Sequence, residues 1–171
     1  MTLNNTNISG NTANIRGGGI YTQAAGACVT TLAGTTNITN NYALGNIPGA
    51  GVFVNSAAVL NVKDAASIQG NYADLLKTKH NNVQPGSNPV NITGAFSGAL
   101  YLNITSTGNR IVLAKGSGYT LAAGDRDGVH LDGDVLPTNT EIFLDTPVNE
   151  IVLRKTIYLQ PNTGTATGTV G

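Results

Sequence analysis

The chain has 171 residues; 11% are charged, 5% aromatic and 40% hydrophobic, with 22 glycines, no tryptophan, and nine basic residues against nine acidic ones. Zero net charge with this much apolar content excludes a disordered chain, and the scattered cations leave no footprint for nucleic acid or an anionic membrane. The length suits one cored domain, and no apolar run approaches the ~20 residues of a membrane helix.

The first residues, Met1-Thr2-Leu3-Asn4-Asn5-Thr6, are polar and lack the basic and apolar segments of a secretory signal, so a secreted role implies a longer parent chain. Ile8-Ser9-Gly10-Asn11-Thr12-Ala13 then opens a motif that returns as Ile38-Thr39-Asn40-Asn41-Tyr42-Ala43 and as Ile68-Gln69-Gly70-Asn71-Tyr72-Ala73, with Ile, Asn and Ala each recurring after 30 positions. A second mark interleaves with it: Gly17-Gly18-Gly19-Ile20-Tyr21 and Gly49-Ala50-Gly51-Val52-Phe53, which are 32 positions apart. A fixed period in the range of about 20 to 50 residues signals a solenoid. Short runs such as Ala27-Cys28-Val29-Thr30-Thr31-Leu32 and Gly51-Val52-Phe53-Val54, bounded by Gly and Asn, read as strands, and long helical runs at 3.6 spacing are missing.

The expected fold is therefore all-β, a right-handed parallel β-helix with about 30 residues per coil, each coil divided into three short strands. Ile8, Ile38 and Ile68 are expected to form an inward aliphatic ladder, and Asn11, Asn41 and Asn71 an amide ladder at a turn. Ala13, Ala43 and Ala73 are expected at a corner with little room, and the glycine clusters at the sharp entry to the next strand. Lone Cys28 forms no intrachain disulfide and reads as a small apolar filler.

Gly-Gly-Gly-Ile-Tyr together with Ile-x-x-Asn-x-Ala resembles the repeats of bacterial surface β-helix proteins, among them the polymorphic outer-membrane proteins, marked by Gly-Gly-Ala-Ile and Phe-x-x-Asn. Here Ile8, Ile38 and Ile68 stand where that family has Phe, and Ala or Gly replaces residues of the glycine mark. The chain looks closer to adhesin-like repeat proteins of Gram-positive and gut bacteria, in which such repeats lead into segments like Asn81-Asn82-Val83-Gln84-Pro85 and Val90-Asn91-Ile92-Thr93-Gly94. The likeness covers residues 1 to about 105. It implies a cell-surface or extracellular location within a longer secreted protein, and a host or neighbouring-cell glycan or protein as partner.

Beyond Asn71 the period lapses through Lys77, Lys79, His80 and a Pro-Gly turn, which read as a longer connection. Strand patterns resume at Ala99–Ile104, Arg110–Ala114, Gly118–Leu121, Glu141–Leu144 and Glu150–Leu159. Coils over 1–105, closing coils or a β cap over 106–160 and a Thr/Gly-rich tail over 161–171 are the expected divisions.

Candidate chemistry is sparse. Asp125, Asp127, Asp132 and Asp134 cluster in sequence and could hold calcium, although Ala123 stands where an EF-hand loop needs its first Asp, and Asp-Gly pairs also make ordinary turns. No cofactor is otherwise expected. His80 and His130 have no Glu or Cys at metal-ligand spacing, no serine elbow is present, and Asp64 and Asp74 are the only carboxylates of the coil region. Asn-x-Ser/Thr matches at Asn7, Asn37, Asn91 and Asn103 follow from composition, and Leu159-Gln160-Pro161-Asn162-Thr163-Gly164 only approaches a cell-wall sorting signal. The expected function is a non-catalytic structural or adhesive module, with outward contacts such as Thr22, Gln23, Asn55, Lys63 and Tyr72. The competing reading is a carbohydrate-active β-helix, disfavoured by few aromatics and few carboxylates. Ice binding would need regular Thr-x-Thr rows, which Thr30-Thr31 and Thr35-Thr36 do not make.

Overall fold

A computed structural model of the chain describes residues 1–23, 28–45, 49–103, 110–132 and 140–155. The first coil consists of β1 (Thr2–Asn4), β2 (Asn7–Ser9), β3 (Thr12–Ala13) and β4 (Ile20–Thr22). The second repeats it as β5 (Val29–Ala33), β6 (Asn37–Thr39), β7 (Tyr42–Ala43) and β8 (Val52–Val54). The third holds β9 (Val59–Asp64), β10 (Ser67–Ile68) and β11 (Val83–Gln84), and the fourth β12 (Val90–Phe96) and β13 (Leu100–Leu102). The result is a parallel β-solenoid of about four turns, as the repeat predicts.

Equivalent strands pair in parallel and in register. Ile8 faces Ile38, Ile38 faces Ile68, and Ile68 faces Leu100, so the aliphatic ladder runs through four coils. On the first face Leu3, Leu32, Val62 and Ile92 form an equivalent row, and on the third Ile20, Val52 and Val83 do. Ile38, Ile68, Leu32, Val52 and Val83 are fully buried. Each contributes ~1.5–3 kcal/mol of apolar transfer. Cys28 is half-buried and packs against this core. In the fourth coil the second and third faces merge, because β13 carries Leu100 beneath Ile68 and Leu102 beneath Val83.

Corners explain the regularity. Asn5, Gly34 and Asp64 take left-handed φ of 54°, 59° and 60° between the first and second faces, and Gly10, Asn40 and Gly70 take 72°, 58° and 62° at the next corner. Gly enters this region without penalty, and Asn and Asp tolerate it because their short side chains bond locally. Just beyond the second corner Ala13 pairs with Ala43, which is fully buried and donates its backbone N–H to the Tyr72 carbonyl, while Ala13 and Ala73 are half-buried.

The C-terminal part changes the pairing rule. β14 (Arg110–Gly116) continues the first face in parallel with β12, and after helix α1 (Ala123–Asp127), β15 (Val129–Leu131) continues the second in parallel with β13. β16 (Thr140–Asp145) and β17 (Glu150–Lys155) form an antiparallel hairpin, and β17 covers the outer edge of β14. Between 110 and 155 the described residues thus first extend two faces in parallel and then add an antiparallel pair. Covering that edge removes a row of unpaired backbone groups. The 161–171 tail, the near-sorting signal and Ile104 lie outside the described residues.

Candidate functional site

The Asn turn is the most ordered chemistry in the molecule. Asn11 donates both its backbone N–H (3.1 Å) and its Nδ2–H (2.9 Å) to Oδ1 of Asn41, and Asn41 does the same to Asn71 at 3.0 and 2.9 Å. Spare amide protons go to carbonyls: Nδ2 of Asn41 also donates to Ile8 and Thr39, and that of Asn71 to Ile38 and Gln69. The ladder expected from the repeat is therefore present at all three positions. The Asn41 and Asn71 side chains bridge neighbouring coils and satisfy backbone groups that the turn takes out of the sheet.

Two further members were not foreseen. Asn71 donates its N–H (2.8 Å) and Nδ2–H (2.9 Å) to Oδ1 of Asn82, and Asn82 in turn donates to the two carboxylate oxygens of Asp132 at 2.7 and 2.5 Å. Register explains how Asn82, only 11 positions beyond Asn71, enters the row. Val83 pairs with Val52 and Val52 with Ile20, so Asn82 takes the place of Gly51 and Gly19 one coil earlier and two coils earlier. A Cβ at Gly51 would lie 2.7 Å from Nδ2 of Asn71, and one at Gly19 would lie 3.1 Å from Nδ2 of Asn41. Glycine there leaves room for the neighbouring Asn amide. Where the fourth coil supplies no turn Asn, the position carries Asn82 instead. The signal was legible as the third residue of the glycine mark, which reads Asn before Val83.

Asp132 closes the row as an acceptor-only group. Burial raises its carboxyl above the ordinary aspartate value of 3.8, against the opposing pull of the Asn82 bonds and of His80. The other candidate metal ligands have different partners. Both Asp125 oxygens bond inside the protein, accepting the N–H of Phe96 (2.7 Å) and Ala122 (2.6 Å) and the Tyr119 hydroxyl (3.2 Å), and so tie α1 to β12. Asp127 pairs with exposed Arg126 at 2.6 Å, and Asp134 lies outside the described residues. Among the described residues no three His, Cys, Asp or Glu side chains are grouped as an ion would need. Asp64 accepts the N–H of Gly34 at its corner, and Asp74 accepts the N–H and hydroxyl of Thr78, which lowers its carboxyl from the ordinary value.

The outer wall carries stacked rings, which composition concealed. Tyr21 stacks on Phe53 with ring centres 5.5 Å apart, and the Arg16 guanidinium lies 4.7 Å above Phe53. Tyr42, Tyr72 and exposed His80 form a second stack at 6.2 and 5.1 Å, and Tyr101 and His130 a third at 4.6 Å. Burial lowers the His130 pKa. Few aromatics are present, yet five of them line up because side chains at equal register recur on every coil. Of the expected outward contacts, Gln23 is exposed and Asn55, Lys63 and Tyr72 are half-buried. Thr22 is a correction: it is 6% exposed and its hydroxyl bonds to that of Thr30 at 3.1 Å, because Tyr21 takes the outward position of β4 and alternation turns Thr22 inward.

Beside the Tyr21–Phe53 row, a cleft of about 580 Å³ opens between the 85–89 loop and β14, lined by Gln84, Asn103, Lys115 and Glu150 among others. Gln84 pairs in register with Phe53, and its buried Oε1 accepts no hydrogen bond.

No family model, curated protein or solved structure matches this chain.

Proposed function

We propose that the chain is a non-catalytic structural or adhesive module of a bacterial cell-surface protein, part of a longer secreted polypeptide, that folds without calcium. One observation carries this reading: among the described residues the carboxylates Asp64, Asp74, Asp125 and Asp132 each accept hydrogen bonds from their own fold. What faces outward is a repeating wall of short polar side chains and stacked rings. Such a wall suits contacts spread along the solenoid axis to a host or neighbouring-cell glycan or protein. A carbohydrate-active β-helix is the second reading, favoured by the cleft beside Phe53 with its unpartnered Gln84 oxygen.

The test is incubation of the purified chain with a panel of polysaccharides, read by reducing-end release and by binding. No turnover is expected with any of them. Reproducible cleavage, abolished by Glu150→Gln or Asp64→Asn in a folded variant, would replace the first reading with the second.

A further inference from the structure

The two ends of the solenoid differ chemically. Along the amide row every bond from one member to the next, by backbone N–H and by Nδ2–H, runs toward the C-terminal end, from Asn11 through Asn41, Asn71 and Asn82 to Asp132. Oδ1 of Asn41, Asn71 and Asn82 each receives two bonds. Oδ1 of Asn11 receives none among the described residues. Around it the apolar rows are incomplete: Leu3 and Ile8 are half-buried, whereas their register partners Leu32 and Ile38 are 0% exposed. Among the described residues, strands β1 to β4 each pair with the second coil and with nothing on their other edge. At the opposite end β17 covers β14, and the amide row stops on a carboxylate.

We propose that the free face of the first coil is a docking surface for one further coil of the same repeat type, laid in parallel. A turn Asn in that coil donates its N–H and Nδ2–H to Oδ1 of Asn11, and aliphatic side chains cover Leu3 and Ile8. The proposal rests on the reading of this chain as a module of a longer polypeptide, to which the docking coil belongs. The interface is continuous with the one repeated between the coils already present, and its hydrogen-bond polarity selects the occupant. A second copy docked face to face would set two Asn11 oxygens against each other, acceptor on acceptor. Docked on the capped end of another copy, Asn11 would meet the Asp132 carboxylate, which also only accepts. A parallel coil supplies donors where the face offers an acceptor.

The experiment extends the chain with a copy of its own residues 30 to 59 joined to Met1, which brings the copied Leu32, Ile38 and Asn41 over Leu3, Ile8 and Asn11. Amide hydrogen exchange of β1 and β2 should slow by about tenfold or more relative to the chain without the extension, as for a strand with both edges paired. Changing the copied Asn41 to Ala should return part of that protection. Amides of β13 and β17 serve as the reference for a folded molecule. Unchanged exchange in β1 and β2, or loss of protection in β13 and β17, would overturn the proposal. So would concentration-dependent dimers of the unextended chain that Ile8→Lys dissolves, since they would make a second copy the occupant. Polysaccharide cleavage would defeat the functional reading without altering these exchange rates, so the two failures are distinguishable.

Discussion

Two rows of asparagine share the 30-residue spacing and do different work. Asn11, Asn41 and Asn71 lie at the turn between the second and third faces, where Asn41 and Asn71 are 0% exposed and bond to backbone and side chain in both neighbouring coils. Asn61 and Asn91 stand on the outside of the first face, half-buried, in a row that runs from Thr31 to Lys115. There Asn61 reaches the Thr31 hydroxyl at 3.4 Å and Asn91 reaches Asn61 at 3.0 Å, with Oδ1 of Asn91 unpartnered. The inner amides replace backbone bonds that water cannot reach. Asn61 exchanges bonds to water for bonds of similar strength, and so contributes little net stability.

Breaking the inner row gives the largest effect. Asn71→Ala takes away the partner of the Asn41 N–H and the side-chain donor to the Ile38 and Gln69 carbonyls in a buried turn, and should lower unfolding stability by about 3 kcal/mol. Chemical denaturation with the slope unchanged would measure it. A loss under about 0.5 kcal/mol would mean that water enters the turn and takes over these bonds.

The end of the inner row should respond to pH, with an intermediate effect. Asp132→Asn sets an amide N–H against an Asn82 donor, and should cost about 1–2 kcal/mol at pH 7. Because burial raises the folded-state pKa of Asp132 above 3.8, the native state takes up its proton more readily than the unfolded chain does. Its contribution therefore rises as pH falls through that raised value and levels off below 3.8. The stability difference between wild type and Asp132→Asn should widen on acidification from pH 7, read from thermal midpoints at three or four pH values. A difference that narrows would show that the Asn82 bonds outweigh burial. Asp74 has the opposite sign, since its pKa is lowered, and its contribution fades as pH falls below 3.8.

On the outer row the expected change is smallest: Asn61→Ala should alter stability by no more than about 0.5 kcal/mol. A cost matching that of Asn71→Ala would erase the distinction between the rows.

The period itself carried the architecture. Ile8, Ile38 and Ile68 recur at one spacing, and a strand pleat keeps equally spaced residues on one face, so their pairing in register follows from the sequence. The Asn turn was legible for the same reason. The glycine mark was legible in position only, because its meaning depends on which side chain stands one coil away. Gly19 and Gly51 leave space for Asn41 and Asn71, while Asn82 fills the same space where the next coil has no turn Asn. Sequence distance hides this, since the loop from Asp74 to His80 brings Asn82 back beneath Asn71 after 11 residues. Thr22 was misplaced because the phase of alternation in β4 is set by Ile20 packing inward, which a three-residue strand does not announce.

Local pattern thus determined the coil, its inward Ile row, its turn Asn row and its left-handed corners, because each depends on one residue type at one recurring position. Tertiary structure alone decided what ends the amide row, which carboxylates bond within the scaffold and which rings stack. Asp132, Asp125 and Tyr101 acquire those roles from partners 50, 29 and 29 positions away, Asn82, Phe96 and His130, which the irregular C-terminal coil brings into reach. No repeat encodes a contact that occurs once.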